Sequence, residues 1–190
     1  MLNVPAQMNL FRTILILAAA FLAVFGEATL PVLRHWLGAQ VDLLPVLMVY
    51  AALNEDMATV SLLAVLGGLW FDALSANPLG ISILPLFAVG FLISFRRDLI
   101  LRELAFAQFV LGTTASAIVP VLSILLLLTA GKQPLLGWGS LWQWLVMTAG
   151  GAAATPFVFA LFNWCNRSLG YQPRIEPGFR PDREIRRGRI

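Results

Sequence analysis

Three apolar runs, Ile14 to Leu33, Leu104 to Leu128 and Leu141 to Phe162, each reach the roughly 20 residues that a helix needs to cross a bilayer. In hydrocarbon every backbone donor and acceptor must be satisfied within the segment, so such runs read as helices. Of the residues, 59% are hydrophobic and 12% charged, against about 25% charged in a soluble domain. The apolar runs lie too close together to leave room for a separate globular domain. The first follows Arg12 and carries Ala18, Ala19 and Ala20, as a signal peptide would, but it is too long and continuous for one and reads as a retained helix.

Shorter runs fill the stretch between: Leu43 to Leu53, Met57 to Leu74 and Gly80 to Phe95. Asn54, Glu55 and Asp56 separate the first two, and Asp72, Ser75, Asn77 and Pro78 separate the second and third. The expected fold is therefore all-α: a polytopic integral membrane protein, a six-helix bundle over residues 1–165, with spans at 10–33, 37–53, 57–74, 80–95, 104–128 and 141–164. The second element is open to two readings. From Leu43 it would rise only about 16 Å, half the hydrocarbon thickness of about 30 Å. Extended back to Leu37 it takes in Asp42 and holds Pro45 inside. A full helix with a polar outer end is the favoured expectation, and a half-helix packed among its neighbours is the alternative.

Basic residues are retained on the cytoplasmic side of a membrane. With six spans and a cytoplasmic N-terminus, Arg12, Arg96, Arg97, Arg102 and all seven arginines after Cys165 fall inside, leaving Arg34 and Lys132 outside. Trp36, Trp70, Trp138, Trp142 and Trp144 fall near the outer boundary and Trp164 near the inner one, in keeping with the interfacial preference of indole. Residues 166–190 carry Pro173, Pro177, Gly178 and Pro181 with few apolar side chains, so they read as a flexible basic cytoplasmic tail. The formal charge of +3 is gathered at helix ends and in this tail. That placement suits the surface of a lipid bilayer or an acidic partner, and no nucleic-acid partner is expected.

Ionisable groups are costly inside a bilayer, so they mark where chemistry or structure needs them. Glu27 and Asp72 sit well within apolar runs. Glu27 is read as pairing with a polar group on another helix or reaching the headgroups. Asp72 either accepts backbone hydrogen bonds from the turn that ends in Pro78 or anchors a loop or partner helix. His35, beside Arg34 in an outer loop, reads as a solvated or headgroup residue, and Cys165 has no cysteine partner. No paired-aspartate, triad, phosphate-loop or zinc spacing is present, so neither catalysis nor a cofactor or metal is expected. Small residues at Gly67 and Gly68, at Gly112 with Ser116, and at Gly150 with Ala154 suit close helix packing, within the chain or against a partner.

From Leu44 to Ile93 the sequence carries Pro45 to Leu53 as a P-x-x-x-x-Y-A-A-L run, then Gly68 to Asp72, then Pro78, Leu79 and Gly80 ahead of a helix containing Gly90. This segment, about a quarter of the chain, resembles the rod shape-determining membrane protein family MreD. The resemblance implies a non-catalytic component of the bacterial cell-elongation machinery in the inner membrane, with MreC, MreB, RodA and a penicillin-binding transpeptidase as partners. Structural or partner-contact roles are expected for Pro45, Gly68, Asp72, Pro78 and Gly80 within the resembling segment, and for Glu27 outside it from its place in an apolar run. That family is similar in fold to the substrate-binding membrane subunits of energy-coupling-factor vitamin transporters, which supplies a second reading. Ala19 and Ala23 have a small-residue spacing that suits such a subunit.

Overall fold

A computed structural model describes residues 4–29, 38–75, 77–97, 105–132 and 137–168, with side chains described from residue 10 to residue 167 within them. Expectations that fall on Pro31, Arg34, His35, Trp36 and Arg102, and on the tail after 168, lie outside the described residues. Six helices are present among the described residues, with no strand: α1 (Val4–Thr29), α2 (Leu44–Asn54), α3 (Met57–Leu74), α4 (Ile83–Arg96), α5 (Ala105–Thr129) and α6 (Trp138–Ser168). Within them, Leu10–Thr29, Met57–Leu74, Ala105–Thr129 and Trp138–Arg167 are long and apolar enough to cross a membrane. α2 and α4 are shorter apolar helices. The chain is thus a helical protein with the character of a membrane bundle.

α2 differs from the full span at 37–53. It begins at Leu44, and residues 38–43 are irregular. Pro45 lies in its first turn, where the missing N–H costs nothing, so the proline starts the helix instead of interrupting it. At 11 residues it rises about 16 Å. Ten of those residues, Leu44 to Leu53, are buried, as expected of a helix that is apolar all round. α2 touches all five other helices and is the core of the bundle.

Close approach to this core is made by glycines. A Cβ on Gly90 of α4 would lie 2.6 Å from Met48 Sδ and 2.8 Å from Val60 Cγ1. A Cβ on Gly68 of α3 would lie 2.9 Å from the Ile83 backbone nitrogen, so the start of α4 rests directly on α3. Outward faces stay apolar: Leu84, Phe91, Leu92 and Phe95 of α4 are 50–71% exposed, with Phe87, Phe91 and Phe95 stacked in a ladder. Trp138 and Trp164, both largely exposed, stand at opposite ends of α6. Their separation along the helix is about 39 Å at 1.5 Å per residue, close to the 40–45 Å of a bilayer with its headgroups.

α5 and α6 pack antiparallel over facing small residues. A Cβ on Gly112 would overlap the Thr155 hydroxyl, and one on Gly151 would overlap the Ser116 side chain. The α6 stripe is therefore Gly151 with Thr155, one residue on from the expected Gly150 with Ala154, while Gly150 makes room for Val41. These stripes are used inside the chain. Gly151→Ala is expected to destabilise the protein by about 1–3 kcal/mol through overpacking. The exchange Ser116→Gly/Gly151→Ala should recover most of that loss, read as thermal unfolding in detergent; a loss equal to the sum of the single effects would contradict this packing.

Candidate functional site

Polar contacts divide into two sets, one at each end of the bundle. At the first end Arg12 of α1 pairs with Glu55, just past α2, at 2.9 Å, and also reaches the Tyr50 hydroxyl. Asn166 of α6 donates to the same hydroxyl at 3.3 Å, and Arg97 donates to the Glu55 carbonyl at 3.2 Å. Thr13 and Thr59 share a hydrogen bond of 2.8 Å. These contacts place the start of α1, the α2–α3 connection and the ends of α4 and α6 at one level. Arg12, Arg96, Arg97 and Arg167 therefore share a basic end. Asn166 and Arg167, expected to open the tail, still belong to α6. Burial holds the Glu55 carboxyl above its usual range, against the opposing pull of Arg12 and with a smaller push from Asp56.

The opposite set surrounds the irregular segment before α2. In the low-polarity interior this backbone would leave unpaired groups costing several kcal/mol each. Side chains from two other helices supply the partners. Glu27 Oε1 of α1 accepts the Leu43 N–H at 2.8 Å. Gln143 of α6 accepts the Gln40 N–H at 3.1 Å and donates to the Gln40 carbonyl at 2.8 Å. Asp42 Oδ1 accepts the Leu44 N–H two residues on at 2.9 Å, an Asx-type bond just ahead of α2. The sequence reading offered Glu27 a polar group on another helix or the headgroups, and here its partner is the backbone of the irregular segment before α2.

The α3–α4 connection uses the same device. Asp72 is 1% exposed at the end of α3. Its Oδ2 accepts the Gly80 N–H at 2.8 Å and the Ser82 N–H at 3.1 Å, and its Oδ1 accepts the Ser82 hydroxyl at 2.5 Å. Gly80 has φ +96°, a conformation that favours glycine, and this turns the chain after Pro78 so that both amides face the carboxylate. The bonds come from residues beyond Pro78, not from the turn leading up to it. Trp144, expected at the outer boundary, is half-buried and donates its Nε1–H to the Ala117 carbonyl at 3.0 Å.

The two clusters meet at a cavity of about 200 Å³. Asp42 of the irregular segment, Asn77 and Ser82 of the α3–α4 connection and Ser123 of α5 form its polar side, and Leu86, Val119, Pro120 and Met147 are among its apolar walls. Of the candidates read from sequence, Asp72 and Gly80 are in direct contact, and Glu27 joins the segment that holds Asp42. Pro45 and Gly68 act in packing, and Pro78 is exposed. Asp42, Gln40 and Gln143 were not singled out. A signal for Asp42 was present in its position three residues ahead of a proline that opens a helix; nothing in the sequence joins Gln40 to Gln143. Compared with family models, with curated proteins and with solved structures, the chain matches none.

Proposed function

We propose that this chain is a non-catalytic membrane scaffold of the bacterial cell-elongation machinery, related to MreD, which acts on cell shape through protein partners. One observation carries this reading. The segment Leu44–Ile93 that resembles the family folds as one continuous unit, α2–α3–turn–α4, in which Pro45, Gly68, Asp72, Gly80 and Gly90 each meet a definite steric or hydrogen-bonding need. The basic end supports a cytoplasmic placement of both termini in the inner membrane, by the retention of arginine on that side. MreC, RodA and a penicillin-binding transpeptidase would meet the lipid-facing helices and the loops at the far end, and MreB the basic end.

Transport of a vitamin is the second reading, favoured by the cavity at the end away from the arginines. At about 200 Å³ it falls below the roughly 300–1,000 Å³ of pockets that enclose drug-sized ligands, so the scaffold stands first. Depletion in a rod-shaped host separates them. The scaffold reading expects cells to widen and round up, with lateral wall insertion lost and vitamin uptake unchanged. Normal diameter with loss of high-affinity uptake would overturn it.

A further inference from the structure

Glu27 and Asp42 are already committed by one oxygen each to the backbone before α2, through the Leu43 and Leu44 amides. Their second oxygens are not. Glu27 Oε2 is buried without a hydrogen-bond partner. Asp42 is 5% exposed and lines the cavity, and its Oδ2 accepts no hydrogen bond among the described residues. Among the described residues no Lys, Arg or His lines that cavity. The cavity is partly open, so a ligand can enter, and a largely buried carboxylate favours a positive or strongly donating group beside it. Leu86, Val119 and Met147 are among the cavity's apolar lining, and Ser82 and Asn77 line it with Asp42.

We propose that this cavity binds a small organic cation, a primary or secondary alkylammonium. Its N–H groups bond Asp42 Oδ2, and its short apolar body lies against Val119, Leu86 and Met147. The size fits the class: about 200 Å³ is the room of six or seven waters at ~30 Å³ each, enough for an ammonium with a few methylenes. The charge fits too, because an ammonium brings donors that a carboxylate with a vacant oxygen lacks. The site goes beyond the scaffold reading and does not depend on it.

The test uses the full chain in lipid nanodiscs, titrated calorimetrically with n-butylammonium, 1-butanol and butyrate, and with sodium and ammonium ions. Saturable binding of n-butylammonium is expected, at least tenfold tighter than any of the other four. Asp42→Asn should weaken it at least tenfold while the protein stays folded, since the Asn Oδ1 still accepts the Leu44 N–H. Val119→Phe, which fills the apolar half, should abolish it with Asp42 intact. Equal binding of 1-butanol, equal binding of the inorganic ions, unchanged affinity in Asp42→Asn, or no binding of n-butylammonium would each overturn the proposal.

Discussion

Replacing Asp72 by alanine is expected to destabilise the protein by about 3 kcal/mol or more, because three donors lose their acceptor at once and a buried, unsatisfied group costs about 1–3 kcal/mol. The Ser82 amide and hydroxyl are largely buried, while Gly80 is half-exposed and recovers more of its loss from solvent. Asp72→Asn is the informative control. Its Oδ1 can take both backbone amides, and its NH₂ can donate to a Ser82 hydroxyl that has rotated to accept. Thermal unfolding in detergent should therefore rank the variants wild type, Asn, Ala, with Asn nearer the wild type. If Asn and Ala fall together, the carboxylate holds the turn by its charge and not by this geometry.

Arg12→Met is the second large effect, expected at about 3–5 kcal/mol, the usual cost of leaving one member of a buried ion pair without its partner. Arg12 and Glu55 side chains are 17% and 6% exposed, so solvent does little to screen the orphaned carboxylate. Glu55 is already raised by burial with Arg12 beside it; without the guanidinium it rises further. A carboxyl raised on folding supplies stability that is complete below its unfolded value and lost as pH rises through its folded one. The penalty of Arg12→Met should accordingly be greatest at neutral and alkaline pH and shrink as pH falls through the range where Glu55 takes up a proton. Adding Glu55→Gln should recover much of it at neutral pH. A penalty independent of pH, or full additivity of the two substitutions, would mean that Arg12 acts by packing its stem and not by pairing.

Much of the architecture is legible from local chemistry. Apolar run length gives three of the four long helices and leaves Met57–Leu74, the fourth, among the shorter runs, while the breakers at 54–56 and 72–78 give the two connections between α2, α3 and α4. Asp72 and Gly80 are legible as a turn because a carboxylate at a helix end and a glycine after Pro-Leu are both local signals. α2 is where legibility fails. Hydropathy reports that Leu44 to Leu53 avoids water and cannot tell shelter by lipid from shelter by five other helices, so full span and half-helix read alike. The small-residue stripe of α6 fails by one residue for a related reason: Gly150 with Ala154 and Gly151 with Thr155 have the same spacing, and only the rotation of the helix against Gly112 and Ser116 selects between them. Gln40 and Gln143 are 103 positions apart, and they meet where Val41 packs against Gly150 in the folded chain.

The account stands on an alternating bundle whose described arginines, Arg12, Arg96, Arg97 and Arg167, gather at one end and whose polar cavity lies toward the other. Cysteine accessibility measures this directly. With Cys165→Ala as background, Asp56→Cys reports the exposed connection beside Glu55 and Lys132→Cys the exposed turn after α5. In right-side-out vesicles, a membrane-impermeant thiol reagent should label Lys132→Cys at once and Asp56→Cys only after permeabilisation. Labelling of both positions from the same side would contradict the alternating arrangement, and with it the basic cytoplasmic end.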